Sequence, residues 1–168
     1  LATLYRVFGD KEGLVHALME RSIHEFGQGL EQALGSLLPP DQALAWLDKM
    51  MRALVGFLTQ APQAADIVGF MLREMAEDGP ALALIYQNFF RHKHREFCQL
   101  IAMVTGGDPD SQDTRLLAFT LLGQLVYFRI GQPIVCRRME WTHYGEAEGR
   151  AIADRLSANL HAILQGAR

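Results

Sequence analysis

An all-α helical bundle is the fold class this sequence predicts, on three observations. Leucine, isoleucine, methionine and phenylalanine recur three or four residues apart through most of the chain, which is the repeat of one helix face. Gly9-Asp10, Pro39-Pro40, Pro62 and Asp78-Gly79-Pro80 fall between these runs, where such residues end one helix and start the next. No alternating β-branched run bounded by hairpin turns occurs.

Each element follows in order. Asp10 can accept from the free N–H groups of the turn after it, so it is expected to cap a helix. Leu14, Leu18, Phe26, Leu30 and Leu34 give that helix one apolar face, and it ends near Gly35 because Pro39-Pro40 cannot continue it. Asp41 is expected to cap the next helix, with Leu44, Leu47, Met51, Leu54 and Leu58 as its stripe. Pro62 stops it and opens a shorter helix carrying Ile67, Val68, Met71, Leu72 and Met75. Pro80 suits the first turn of a long amphipathic helix running from Leu82 through Phe89 and Phe97 to Val104. A Gly-Asp-Pro-Asp loop at 107–110 follows. Residues 116–130 are apolar on every side, and such a helix must be covered on every side. The last helix, 146–164, carries Ile152, Leu156, Leu160 and Ile163 on one stripe with little chain left to cover a second face. The economical solution places residues 116–130 between the chain's own core and a partner subunit. The last helix joins it in a four-helix interface across a two-fold axis. The alternative is a helix buried centrally in a monomer.

Composition bounds the function. The 168 residues, 49% apolar and 21% charged, match a soluble globular domain and exclude disorder, collagen and low-complexity classes. A net charge of -3 neither requires nor excludes a polyanionic partner. Cys98 and Cys136 are the only cysteines and lack metal-type spacing, which predicts a reduced, cytoplasmic protein without a metal. No stretch of 18 apolar residues is present, and the greasiest segment, 116–128, is broken by Thr120 and Gln124. The sequence opens without Met on Leu1-Ala2-Thr3-Leu4-Tyr5, already inside an element, so its N-terminus is expected to have been cut or not represented. Motifs of hydrolases, phosphate loops and zinc peptidases are absent, and no catalytic residue or cofactor is expected.

Five places could carry binding chemistry. Thr3, Tyr5, Arg6 and Lys11 are donors grouped at a helix start, an arrangement suited to phosphate oxygens, although taken alone they read as surface groups. Arg73 and Glu74 are either polar anchors for a ligand or a solvated, ion-paired helix edge. Met50, Met51, Met71, Met75 and Phe89 are either plain core or the adaptable lining of a cavity. His94 and Cys98 share a helix face but two ligands do not close a zinc site, so Arg91-His92-Lys93-His94-Arg95 reads as a solvated stripe. Residues 108–113 lack the glycine and the last glutamate of a calcium loop and read as a turn and helix cap.

The segment Thr3-Leu4-Tyr5-Arg6-Val7-Phe8, followed by Lys11-Glu12-Gly13-Leu14, resembles the end of the recognition helix and the start of the fourth helix in TetR-family transcriptional regulators. Leu72-Arg73-Glu74-Met75, Gly107-Asp108-Pro109-Asp110, Leu122-Gly123-Gln124 and Met139-Glu140-Trp141 resemble the CecR-like branch of that family. The resemblance implies a TetR-like ligand-binding and dimerisation domain over residues 10–168, with a remnant of the helix-turn-helix at 1–9. It implies that Thr3, Tyr5 and Lys11 contact DNA phosphates and that Leu4 and Phe8 pack the small DNA-binding core. Val7 departs from the histidine or tyrosine common at its position. Most base-reading helices of the family are absent, so the chain as given is expected not to bind an operator.

On this basis the expected function is effector sensing and homodimerisation in a TetR-type repressor. A small, largely apolar effector is expected to bind against Met51, Leu54, Met71, Met75, Phe89, Gln124 and Phe128. Leu117, Leu121, Ile152, Leu156, Leu160 and Ile163 are expected at the dimer interface. The alternatives are a small helical enzyme, a lipid carrier using the same cavity, or an oligomerisation module with no ligand.

Overall fold

The computed structural model describes residues 38–62 and 64–167. The helix expected from Asp10, the phosphate contacts Thr3, Tyr5 and Lys11, and the boundary between residues 9 and 10 lie outside the described residues. The described part is helical: α1 (Pro40–Gln60), α2 (Ala64–Glu77), α3 (Pro80–Ile85), a π-turn (Tyr86–Phe90), α4 (Arg91–Thr105), α5 (Gln112–Ile130), α6 (Gln132–Met139) and α7 (Glu146–Gly166). No strand occurs among the described residues.

Two compact units emerge. The first contains Asp66–Glu96, and the second Leu38–Ala65 with Phe97–Arg168. In the second unit α1 lies along both α7 and α5, and α5 also meets α6 and α7. Of the stripe predicted for α1, Leu44, Leu47, Met51 and Leu58 are buried there and Leu54 is half-buried, while Ala43 and Val55 are buried beside them. Phe97, Leu100, Ile101 and Val104 of α4, Ala118, Leu121 and Leu125 of α5, and Ile152, Leu156, Leu160 and Leu164 of α7 complete the core.

Local chemistry sets the helix ends. Helix α1 begins two residues earlier than the sequence predicts. Pro39 is its N-cap, Pro40 takes the first position and Asp41 falls inside the first turn rather than capping it. Proline is tolerated there because the N–H it lacks has no helical partner anyway. Ser111 caps α5 by accepting from the Thr114 N–H at 3.1 Å, and Asp108 accepts from the Asp110 N–H at 2.9 Å. Residues 108–113 are thus the turn and cap that their sequence indicates. Glu148 accepts from the Gly145 N–H at 3.0 Å and opens α7. Helix α6 ends at Glu140, which is left-handed at φ 59° while Trp141 N–H donates back to the Cys136 carbonyl.

Two features depart from the periodicity. The long helix expected from Leu82 to Val104 is interrupted by the π-turn, where the Arg91 N–H reaches the Tyr86 carbonyl five residues back. Such turns are uncommon and concentrate at functional sites. Residues 132–139, where the periodicity predicts no element, form α6.

Candidate functional site

The open face of α5 dominates the second unit. Leu116, Phe119, Val126, Tyr127 and Ile130 are large, apolar and between 39% and 55% exposed. At 100° per residue they fall, with Thr120 and Gly123, in an arc of about 120° opposite the buried Thr114, Ala118, Leu121 and Leu125. The helix therefore carries two apolar faces, one spent on the core and one open. Helix α7 presents a different surface beside it: Ala151, Arg155, Ala158 and Ala162 are exposed at a helical spacing. Between the two stripes, Gly123, Gln124, Tyr127, Phe128, Arg155, Leu156 and Asn159 line an open depression of about 450 Å³. Its seam is an amide pair, with Asn159 Nδ2 donating to Gln124 Oε1 at 2.9 Å.

The residues expected at a dimer interface divide between core and flank within the single chain. Leu121, Ile152, Leu156 and Leu160 are 0–3% exposed within a single chain. They form the monomer core with α1, and a side chain with no open surface adds no buried area on association. Leu117 and Ile163 are half-buried at the flanks. The periodicity identifies one apolar stripe on α7 correctly, but α1 covers it.

The residues expected to bind an effector are dispersed. Met51 is 1% exposed and belongs to the core of the second unit, with Leu54 half-buried on the same helix. Gln124 and Phe128 line the α5–α7 depression, of which Met51 is no part. Met71, Met75 and Phe89 lie in the first unit, where Met71 and Phe89 are half-buried and Met75 is 52% exposed. Phe89 sits within the π-turn, next to a ladder in which Tyr86 stacks on Phe90 and Phe90 on His94, with centroids 6.5 and 5.7 Å apart. His94 is thus packed in part on an aromatic ring, whereas Arg91, His92 and Arg95 are exposed as the solvated reading expects.

Polar groups that carry no motif in the sequence hold the frame. Asp48 on α1 accepts from Ser157 on α7 and from Arg52 Nε at 2.9 Å. Arg52 also reaches Asp154 at 2.7 Å, and His161 Nε2 stands 3.8 Å from Asp48. Burial alone would push the Asp48 carboxyl up, but the hydrogen bonds from Ser157 and Arg52 and the guanidinium charge hold it below its ordinary value. Near the other end of the same pair of helices, a Cβ on Gly149 would meet Gln60 Nε2 at 2.6 Å and Thr59 Oγ1 at 3.1 Å, so glycine permits the close approach. Tyr144, buried at 6% exposure, donates to the Phe128 carbonyl at 2.9 Å; burial pushes its phenol up to about 12.

Glu74, in the first unit, is neither a ligand anchor nor a solvated edge. It is 3% exposed, and its Oε2 accepts from the Ala81 N–H at 3.0 Å at the start of α3. A Cβ on Gly79 would lie 2.2 Å from that oxygen, so glycine is what lets the carboxylate reach the helix start. Arg73 is exposed. Burial raises the Cys98 thiol above its ordinary pKa, which disfavours the thiolate that metal binding or redox chemistry needs.

Among the described residues the body is all-α, with one open apolar face on α5 and, in the first unit, a half-buried Met71 and an exposed Met75, and this is the architecture the comparisons have to match. Comparison with known proteins gives the class, a transcriptional regulator rather than an enzyme. The chain belongs to the family described as the C-terminal domain of the HTH-type transcriptional dual regulator CecR, which matches residues 43–167. A relative from Shigella flexneri, an HTH-type transcriptional dual regulator CecR, is 27% identical over 177 aligned residues, spanning 99% of this chain and 78% of the relative. The match continues the TetR-type resemblance read from residues 3–14. Among the described residues no helix is long and apolar enough to cross a membrane.

Proposed function

We propose that this chain is the effector-sensing and homodimerisation part of a TetR-type repressor that works on operator DNA in the cytoplasm. The family match over residues 43–167 carries the regulatory role. Pairing is supported by the α5 stripe. Its bulky Leu116, Phe119, Tyr127 and Ile130 stand beside a small-residue stripe, Ala151, Ala158 and Ala162, on α7. A two-fold axis sets the knobs of one copy over the small residues of the other, which is the self-complementarity an isologous interface needs.

The effector is small and largely apolar, and its contacts centre on Met71, Met75 and Phe89. Met75 is exposed, Met71 and Phe89 are half-buried, and Phe89 belongs to the π-turn, so all three keep some open surface in the first unit. Binding favours one of two arrangements in which the helix from Asp10 differs in tilt, and so changes the spacing of the two recognition helices. Operator half-sites have fixed spacing, so the shift lowers affinity. Thr3, Tyr5 and Lys11 position the phosphates in that complex. The relative is described as a transcriptional dual regulator, which supports a regulatory role for this chain.

The test uses the full-length protein and its operator. Compounds that raise its melting temperature are added, and operator affinity is measured with each. A compound that weakens operator binding supports the reading. If every stabilising compound leaves operator affinity unchanged, sensing is not what this domain does.

A further inference from the structure

We propose that Gln124 and Asn159 select the partner and fix the register when two copies of this chain pair through the α5–α7 face. The inference rests on the pairing reading above and adds to it which residues decide what may pair.

The amide pair occupies the seam between the bulky stripe of α5 and the small stripe of α7. Asn159 Nδ2 donates to Gln124 Oε1 at 2.9 Å. Gln124 Nε2 reaches the Thr120 carbonyl at 3.5 Å, at the outer limit of a hydrogen bond. Among the described residues these are the hydrogen bonds the two amides make. The pair therefore keeps one under-used donor, Gln124 Nε2, and one spare acceptor, Asn159 Oδ1, at the same seam. Both residues line the open depression, which solvent can enter.

A partner that covers the apolar stripe of α5 and the alanines of α7 that flank Arg155 also covers the seam and excludes water from it. An amide left without a partner on burial then opposes association. A second copy related by a two-fold axis answers this without any further residue, because its spare acceptor meets the first copy's spare donor and the reverse. A helix seated one turn out of register sets the amides against the apolar side chains of the stripe, and a purely apolar helix leaves all of them unmet. One buried polar position specifies register in paired helices by the same logic.

The experiment measures dimer dissociation by sedimentation for wild type, Gln124→Leu, Asn159→Leu and the double variant, with circular dichroism as the check on folding. Each single variant should weaken the dimer by at least about tenfold, because it strands the other amide. The double variant should return to within about threefold of wild type, since neither polar group then remains. Wild type and double variant mixed together should form fewer mixed dimers than random pairing gives. Gln124→Glu provides a second route. It keeps the acceptor for Asn159 inside the chain but loses the Nε2 donor, so it should weaken pairing while the monomer stays folded. If all four variants self-associate within about threefold of wild type and mix at random, the amides do not select the partner and the pairing reading stands. A wild-type chain that stays monomeric at about 100 µM overturns the pairing reading and this proposal together.

Discussion

Tyr127→Ala and Leu160→Ala separate the open face from the core, and the structure assigns them opposite outcomes. Tyr127 is 55% exposed, and an aromatic side chain of its kind offers roughly 200 Å², so about 110 Å² is open to a partner. At ~25 cal/mol per Å² its full coverage contributes about 2.7 kcal/mol in each protomer, an upper value because the partner need not cover all of it. Within the chain the ring makes one edge contact, with Phe128 at a centroid distance of 6.2 Å. Truncation should therefore cost the monomer no more than about 1 kcal/mol. It should raise the dimer dissociation constant by about 100-fold or more. Leu160 is 0% exposed, and removing its side chain leaves a cavity that costs about 2–5 kcal/mol of folding free energy. Urea unfolding of dilute protein reads the monomer, and sedimentation over a concentration series reads the dimer. A Tyr127→Ala protein that pairs like wild type refutes the open-face argument. So does a Leu160→Ala protein that keeps its monomer stability and loses only pairing, because Leu160 would then sit at the interface after all.

The clasp between α1 and α7 gives a pH dependence. The Asp48 carboxyl is held below the ordinary 3.8, so the unfolded chain takes up that proton at a higher pH than the folded one. The stability it contributes is present above about pH 3.8 and is lost as the pH falls through the lowered folded value. Asp48→Asn should thus destabilise the protein at neutral pH, with the difference shrinking below that point in urea melts across pH 2–7. Tyr144→Phe should cost about 1 kcal/mol through loss of the hydrogen bond to the Phe128 carbonyl. In wild type, one of the four tyrosines should ionise near pH 12 in an ultraviolet titration, and that step should vanish in the variant. Glu140 holds a left-handed conformation that glycine adopts at no steric cost, so Glu140→Gly should stabilise by about 0.5–1 kcal/mol in thermal melts.

The helices were legible because burial in this chain follows helical spacing: Leu44, Leu47, Met51, Val55 and Leu58 all point into one core. The orientation of α5 was not, because residues apolar on all sides have no phase. Leu121 and Tyr127 look alike in sequence, yet one is 0% and the other 55% exposed. On α7 the leucine stripe drew the interface, while the face beside the opening is alanine and arginine, which announce nothing on their own. Contacts between distant residues left no local signal either. Asp48 and Ser157 are 109 positions apart, and the approach of the Glu74 carboxylate to the start of α3 depends on the missing side chain of Gly79. The π-turn alters one hydrogen-bond ring without altering composition, and so it too is silent in the pattern. Of the residues expected to meet an effector, Met51 went to a core and Gln124 to a seam. Both fit the apolar or adaptable chemistry sought there, and only their tertiary surroundings tell them apart.

The most direct test of the account is the mass of the wild-type chain in solution. Two copies paired through the α5–α7 face should sediment at about twice 18.8 kDa across micromolar concentrations. Substitution of Tyr127 should convert that species to a single chain with its helical content intact. A wild-type chain that sediments as one copy over the whole range would contradict the pairing on which the proposed switch depends.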